Sequence, residues 1–447
     1  MMSKLFGNLS VEALEVAAGP LSVEEVMDQQ DVIHEIHDIE MEAGSAVVAM
    51  EDGMQAVASL EEAATNYDAI LGQPESITSA HVLVAQEHLR MSAIALGVEE
   101  ADLAEIVGEE VSVEDATSNP VTAMQLSRES VGDFIKKIFE QVKAFFKRIG
   151  VAIKKLYVKA VAFLNNTEKM AKKLLESVKE MDDKGNVKMT DAVAKSLRGM
   201  MAVAGLESGS IDRKSILAYH AAVNSVATIK TVNAAFSDLP EKITKSQDDK
   251  FKAGLEGIMK NLEGGLKKES FLEKISGKVK EKLGKEKAPA KAVLIPTKVT
   301  GSTVNAIMVQ TDDEKAASDN EMDKVSAITV TKASASLEKS EVAKLKVESL
   351  SLKDVEGILN AVVKSNSKTF IDAAKKVMDE REKAIDAIEK TYKDDKEIDS
   401  AGKAYISKFV SINQSLTTSL SLDAILGNIY ANKNVVSSCK LFASLHK

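Results

Sequence analysis

Apolar residues recur at three- and four-residue steps through most of this chain, the spacing of one face of an α-helix. The pattern is densest between Phe134 and Leu156, where phenylalanines and isoleucines alternate with lysines, and it predicts one amphipathic helix from Ser130 to about Asn166. Upstream, Val26, Ile33, Ile36 and Val47 form a thinner stripe in an acidic stretch that opens on Ser22 as an N-cap, and a second helix follows the turn around Pro74. The run 108–125 has no period, and its acids, Ser, Asn and Pro predict an exposed linker.

Past residue 167 the helical period continues, broken by turns at 183–186 and near Pro240. Between Pro289 and Ser340 the texture changes. Three short β-branched runs, 292–299, 303–311 and 326–334, predict a small sheet. Helices resume behind Ser351, a cap with an acid three residues on. Ile371, Ala374, Met378, Ile385, Ile388 and Tyr392 then follow a heptad seam with Arg381 at one seam position, and Asp372–Lys376, Asp379–Lys383 and Glu389–Lys393 are spaced as acid-first pairs. A coiled-coil-like hairpin with residues 404–426 is expected. The fold class is therefore mainly α, with long amphipathic helices and a small β segment near 290–338, α+β overall. Four parts follow: 1–129, 130–288, 289–340 and 341–447.

Charge divides the chain more sharply than periodicity does. Residues 1–129 hold 26 Asp or Glu against Lys4, Arg90 and Arg128, a formal −23, so the remainder carries +13 within the net −10. Such asymmetry points to an acidic arm or to a nucleic-acid or membrane partner. The positive excess is concentrated in the helix from Ser130, through Lys136, Lys137, Lys143, Lys147, Arg148, Lys154, Lys155 and Lys159, and in 267–291.

A search for chemistry returns little. His34 and His37 stand at i,i+3, whereas a zinc-protease helix needs i,i+4 with a glutamate after the first histidine. The glycines at 254, 257, 264 and 265 lack the lysine of a phosphate-binding loop, and only His220 and His446 follow residue 130. No catalytic, cofactor or metal site is expected. Cys439 is the single cysteine and sits on an apolar helix face, so it is read as a buried thiol. No charge-free stretch reaches membrane-spanning length, and the N-terminus lacks an extended apolar region, which predicts residence in a reducing cytoplasm.

The basic helix supports three readings: a core helix with a solvated lysine face, a membrane-surface helix, or a backbone contact with nucleic acid. An arm of −23 tethered to a body of +13 competes with any polyanion for the body's lysines, so a cut at the change of sign would unmask them.

The junction reads Leu-Ser-Arg-Glu-Ser over 126–130. A small residue, any residue, then Glu and a small residue is similar to the sites cut by prohead proteases of large tailed bacteriophages. Glu12–Ala13 and Glu62–Ala63 are weaker sites of the same kind. With the acidic leader, the segment 129–149 and a lysine-rich helical body, the chain resembles the internal head, or inner-body, proteins of large contractile-tailed phages. The resemblance implies an acidic helical propeptide, 1–129, removed between Glu129 and Ser130. It further implies assembly in the host cytoplasm with the prohead core and capsid proteins, and a mature part inside the capsid that self-associates and binds packaged phage DNA without sequence preference. A membrane surface, met by residues 130–163 during genome entry, is the alternative partner.

Overall fold

The computed structural model describes residues 23–95, 117–184, 187–237, 251–287, 291–365, 367–394 and 400–447. In chain order the elements are α1 (Val23–Leu71), α2 (Ser79–Ala95), α3 (Pro120–Lys179), α4 (Asp191–Met201), β1 (Ser210–Ile211), α5 (Arg213–Val223), α6 (Val226–Ala235), α7 (Phe251–Lys267) and α8 (Ser270–Lys287). There follow β2 (Val293–Thr300), β3 (Thr303–Thr311), α9 (Asp313–Ala316), α10 (Glu321–Ser326), β4 (Ile328–Ser336), α11 (Lys339–Lys344) and β5 (Lys346–Val347). The chain ends with α12 (Leu352–Val363), α13 (Ser367–Asp394), α14 (Ser400–Thr417), a π-helical turn (Thr418–Asp423) and α15 (Ala424–Ser444). The mainly helical class and the three β-branched strands are as the periodicity predicts.

Helix α3 corrects the linker expectation. It starts at Pro120, inside the run read as a loop, because the Asn119 side chain accepts the amide of Thr122 at 3.4 Å and Pro120 has no amide to leave unpaired. It then continues for 60 residues, about 90 Å, through the change of sign. The caps predicted at Ser22 and the turns at 185–186 and Pro240 lie outside the described residues. Ser351 does cap α12 in a reciprocal box with Asp354.

Two apolar cores flank the sheet β2-β3-β4, an antiparallel meander. Val293, Ile295, Ile307, Val309, Ile328 and Val330 face the first core, while Leu294, Val299, Val304, Ala306 and Ala333 face the second. A sheet covered on both faces needs apolar residues at successive positions, which is why β2 reads as a nearly unbroken apolar run. Its outer edge is blunted by side chains: Tyr219 donates to the Val299 carbonyl at 2.8 Å, Ser276 to Leu294 at 2.6 Å and Lys280 to Ala292 at 2.7 Å. Pro296 is tolerated because β2 is an edge strand.

The two-residue parallel pair β1–β5, Ser210 with Lys346 and Ile211 with Val347, was not foreseeable from periodicity, since two residues carry no period. Ile371, Ala374, Met378 and Ile385 are buried as the seam on α13 requires, but this helix packs against α3, α6 and the π turn as well as α14. Side-chain pairing along it also differs. Lys375 meets Asp379 and Lys376 meets Glu380, while Asp372 accepts the hydroxyl of Tyr157 on α3 at 2.7 Å; the side chains of Glu389 and Lys393 lie outside the described residues. Arg381 is buried at the C-terminal end of α6, where it donates to the Asn233 carbonyl at 2.9 Å and complements the helix dipole.

Candidate functional site

In the described part of the acidic leader, α1 lies antiparallel on α3 and contributes to the first core. Ile36, Ile39, Ala43, Ala46 and Met50 alternate three- and four-residue steps and are all buried, with Val47 beside them. On α3 the buried residues Phe146, Ile149, Ile153, Leu156, Ala160 and Phe163 follow the same alternation. Two such stripes interlock along their length. Of the predicted stripe, Ile36 and Val47 are buried, Ile33 is half-buried and the Val26 side chain lies outside the described residues; Ile39 and Met50 join it, with Ala43 and Ala46 too small to stand out on a hydropathy reading.

Glutamates flank that seam and meet the body's lysines. Lys155 reaches Glu42 at 3.1 Å, and Lys159 pairs with Glu35 one heptad earlier on α1. A third pair is more enclosed: Lys298 Nζ lies 2.7 Å from Glu40 Oε1, with side chains only 15% and 25% exposed. The strand itself aims Lys298. Pro296 pairs with Ala306 and Lys298 with Asn305, so the extra residue Thr297 turns Lys298 to the face of Ile295 and Ile307, the face the leader covers. Gly427 of α15 makes room there; a Cβ would stand 2.9 Å from the Lys298 Cα.

This corner concentrates charge. The Lys298 ammonium lies 5.6 Å from the Tyr430 ring centre. Lys332 pairs with Ile307 across the sheet and so points to the same face. Burial lifts the Asp423 carboxyl above its usual range, Lys332 and Lys298 oppose the lift, and Glu40 adds to it. Burial, then Glu40, likewise raises the Tyr430 hydroxyl.

Magnitudes decide what holds the interface. Burying Ile36, Ile39, Val47 and Met50 contributes about 1.5–3 kcal/mol each, whereas half-exposed pairs such as Lys155–Glu42 contribute roughly 0.2–1 kcal/mol. The apolar seam dominates, and the half-exposed charge pairs at its rim add little.

Of the eight predicted anion-contact residues, Lys155 and Lys159 are held by the leader, and Lys154 by Glu382 of α13 at 3.5 Å. Lys147 and Arg148 are exposed, the guanidinium lying 5.4 Å from the Phe145 ring centre. Lys136, Lys137 and Lys143 lie on the α3 backbone, with side chains outside the described residues. The Glu129–Ser130 bond is in the helical backbone of α3, and Ser127, the small residue of that signal, is 2% exposed and donates to the Ala123 carbonyl at 3.0 Å. Glu62 and Ala63 lie within α1; Glu12 and Ala13 are outside the described residues. Glu35, Glu40, Glu42 and Lys298 escaped the sequence reading. The seven-residue spacing of Glu35 and Glu42 beside buried Ile36 and Ala43 was the signal available for two of them.

Elsewhere, Cys439 is fully buried, which pushes its thiol up, and His446 hydrogen-bonds to the Leu350 carbonyl at 2.9 Å. His34 is exposed. Among the described residues no group of His, Cys, Asp and Glu could hold a metal ion, and no helix is long and apolar enough to cross a membrane. A family model described as phiKZ-like phage internal head proteins matches residues 21–430, spanning both leader and body. No curated protein and no solved structure matches the chain.

Proposed function

The chain belongs to the phiKZ-like phage internal head proteins, and from that premise we propose that it is a structural, non-catalytic protein made as a self-shielded precursor and matured by the prohead protease after Glu129. The mature part, 130–447, stays within the capsid against packaged DNA. The observation that carries this reading is that Lys155 and Lys159 of the basic helix are engaged by Glu42 and Glu35 of the leader. A polyanion and the leader therefore compete for the same ammonium groups. Assembly in the host cytoplasm with core and capsid proteins, and self-association of the body, belong to the same proposal.

Two features bear on the cut. Proteases take extended peptides, so the helical bond with its buried Ser127 is cryptic and opens only when α3 unwinds locally. Cleavage then leaves Ser130 first in the chain with Asp133 three residues on, the pattern of a helix-capping box. The basic helix thus keeps a start signal of its own.

N-terminal sequencing of the protein from purified virions is expected to begin at Ser130; particles carrying intact Met1 ends would overturn the reading. The fragment 130–447 is expected to bind duplex DNA of any sequence and to release it between low and moderate salt, with the full chain binding far less. The alternative is that residues 130–163 meet a membrane surface during genome entry; Phe146, Ile149, Ile153 and Leu156 of that segment are buried in the first core, so their insertion would need the core to open.

A further inference from the structure

We infer that cutting after Glu129 does not by itself release the leader: residues 33–50 remain seated on the body as a non-covalent ligand, and unmasking needs a second event that removes them. The inference rests on reading the leader as a propeptide and concerns what happens after the cut.

The first core does not distinguish leader from body. Ile36, Ile39, Ala43, Ala46, Val47 and Met50 are each 8% exposed or less, packed with α3 and the C-terminal helices. None of those contacts passes through the Glu129–Ser130 bond. The groove they fill has an apolar floor of Ile149, Ile153 and Leu156, lysines at its rim in Lys155 and Lys159, and the enclosed Lys298 on its far side. It is therefore built for an acidic amphipathic helix, and the only segment shown to satisfy it is the one already there. If the leader left, Lys298 would lose Glu40, and the apolar floor would face water. Cutting also at Glu62 leaves residues 33–50 in one piece and so does not dislodge them.

Lys155, Lys159 and Lys298 in this view stay covered after the cut, whereas Lys147 and Arg148 are exposed already in the intact chain. DNA contact would then begin at Lys136, Lys137, Lys143, Lys147 and Arg148.

The test uses the full chain with residues 126–131 replaced by the recognition sequence of a site-specific protease, cut to completion and run on size exclusion. The two pieces are expected to co-elute in 0.1 M and in 1 M salt, and to part only in urea. A leader piece that elutes alone at 0.1 M salt overturns the inference. Co-elution at 0.1 M with separation at 1 M would overturn the apolar seam as its cause, leaving the ion pairs. Amide exchange in the cut protein provides a readout that needs no further variant: residues 33–50 are expected to keep the protection they have in the uncut chain, and loss of that protection counts against retention. Ile39→Asp is expected to let the pieces separate in 0.1 M salt, whereas Glu35→Gln with Glu42→Gln leaves them together. Because the cut is engineered, these outcomes stand apart from whether virion protein begins at Ser130.

Discussion

Helices α3 and α8 are both lysine-rich, with formal charges of +6 over residues 130–166 and +5 over 267–291, but their lysines are held by different parts of the chain. On and after α8 the partners belong to the body: Lys274 pairs with Glu207, Lys282 with Glu341 at 2.5 Å and Lys291 with Asp313. On α3, Lys155 and Lys159 pair with the leader. Glu341 and Asp313 are each held below the usual carboxylate range by hydrogen bonds from their lysines, and that arrangement persists whatever happens to residues 1–129. The cores differ in the same way. The first is shared with the leader from Ile36 to Met124, while among the described residues the second has none before Met170. Similar charge is thus paired within the body in one place and, at Lys155 and Lys159, with the leader in the other.

The largest effect expected from this difference concerns DNA. In 130–447, changing Lys136, Lys137, Lys143, Lys147 and Arg148 to Gln should lower the slope of log affinity against log salt by about 4–5, since each phosphate contact contributes roughly 0.9. Changing Lys267, Lys268, Lys274, Lys278 and Lys282 instead should alter it by less than about one. Equal losses in a salt-titrated anisotropy measurement would erase the distinction between the helices.

Truncation separates the cores. Ile39→Ala should cost the intact chain about 2–5 kcal/mol in urea unfolding and change nothing in 130–447, which lacks the residue. Ile275→Ala, on α8, should destabilise both forms alike.

Next comes a pH effect confined to the body. His220 is buried, with Nε2 3.1 Å from Asn432 Oδ1; burial holds its pKa down to about 4, against which the Asn432 hydrogen bond acts. The unfolded chain takes up that proton from about pH 6.5 downward and the folded one does not. The stability is therefore complete above pH 6.5 and lost as pH falls towards 4, by up to about 3 kcal/mol. Unfolding followed at pH 7 and pH 5 should show the same loss with or without the leader, and His220→Asn should flatten it.

Gly427→Ala tests the close approach of α15 to the bulge in β2, where the added Cβ meets backbone rather than a movable side chain. A cost of about 1–3 kcal/mol is expected from thermal melts. Smallest of all, Lys155→Ala and Lys282→Ala should each change stability by less than about 1 kcal/mol. The salt bridges mark who covers whom; they do not hold the fold.

The features legible in the sequence are those whose cause is local. Phe146 through Leu156 announced a buried helix face, the runs at 292–299, 303–311 and 326–334 announced the strands found at 293–300, 303–311 and 328–336, and Ser351 with Asp354 announced a cap. The leader's seam was half seen. Ala43 and Ala46 contribute little hydropathy, and their value lies in letting α1 approach α3 closely. Of the linker read across 108–125, residues 108–116 lie outside the described residues and 120–125 are helical, because Pro and Asn also make a helix start and only the chain that follows says which.

Taken alone, the sequence determined a mainly helical chain, its small sheet and the reversal of charge at residue 129, because periodicity, capping and charge are properties of neighbouring residues. Tertiary structure alone decided that Lys155 and Lys159 face Glu42 and Glu35, and that a bulge at Thr297 turns Lys298 toward Glu40. Those outcomes depend on the register between segments more than a hundred residues apart. Register is set by the summed burial of many apolar side chains, and no local stretch of the chain contains that sum.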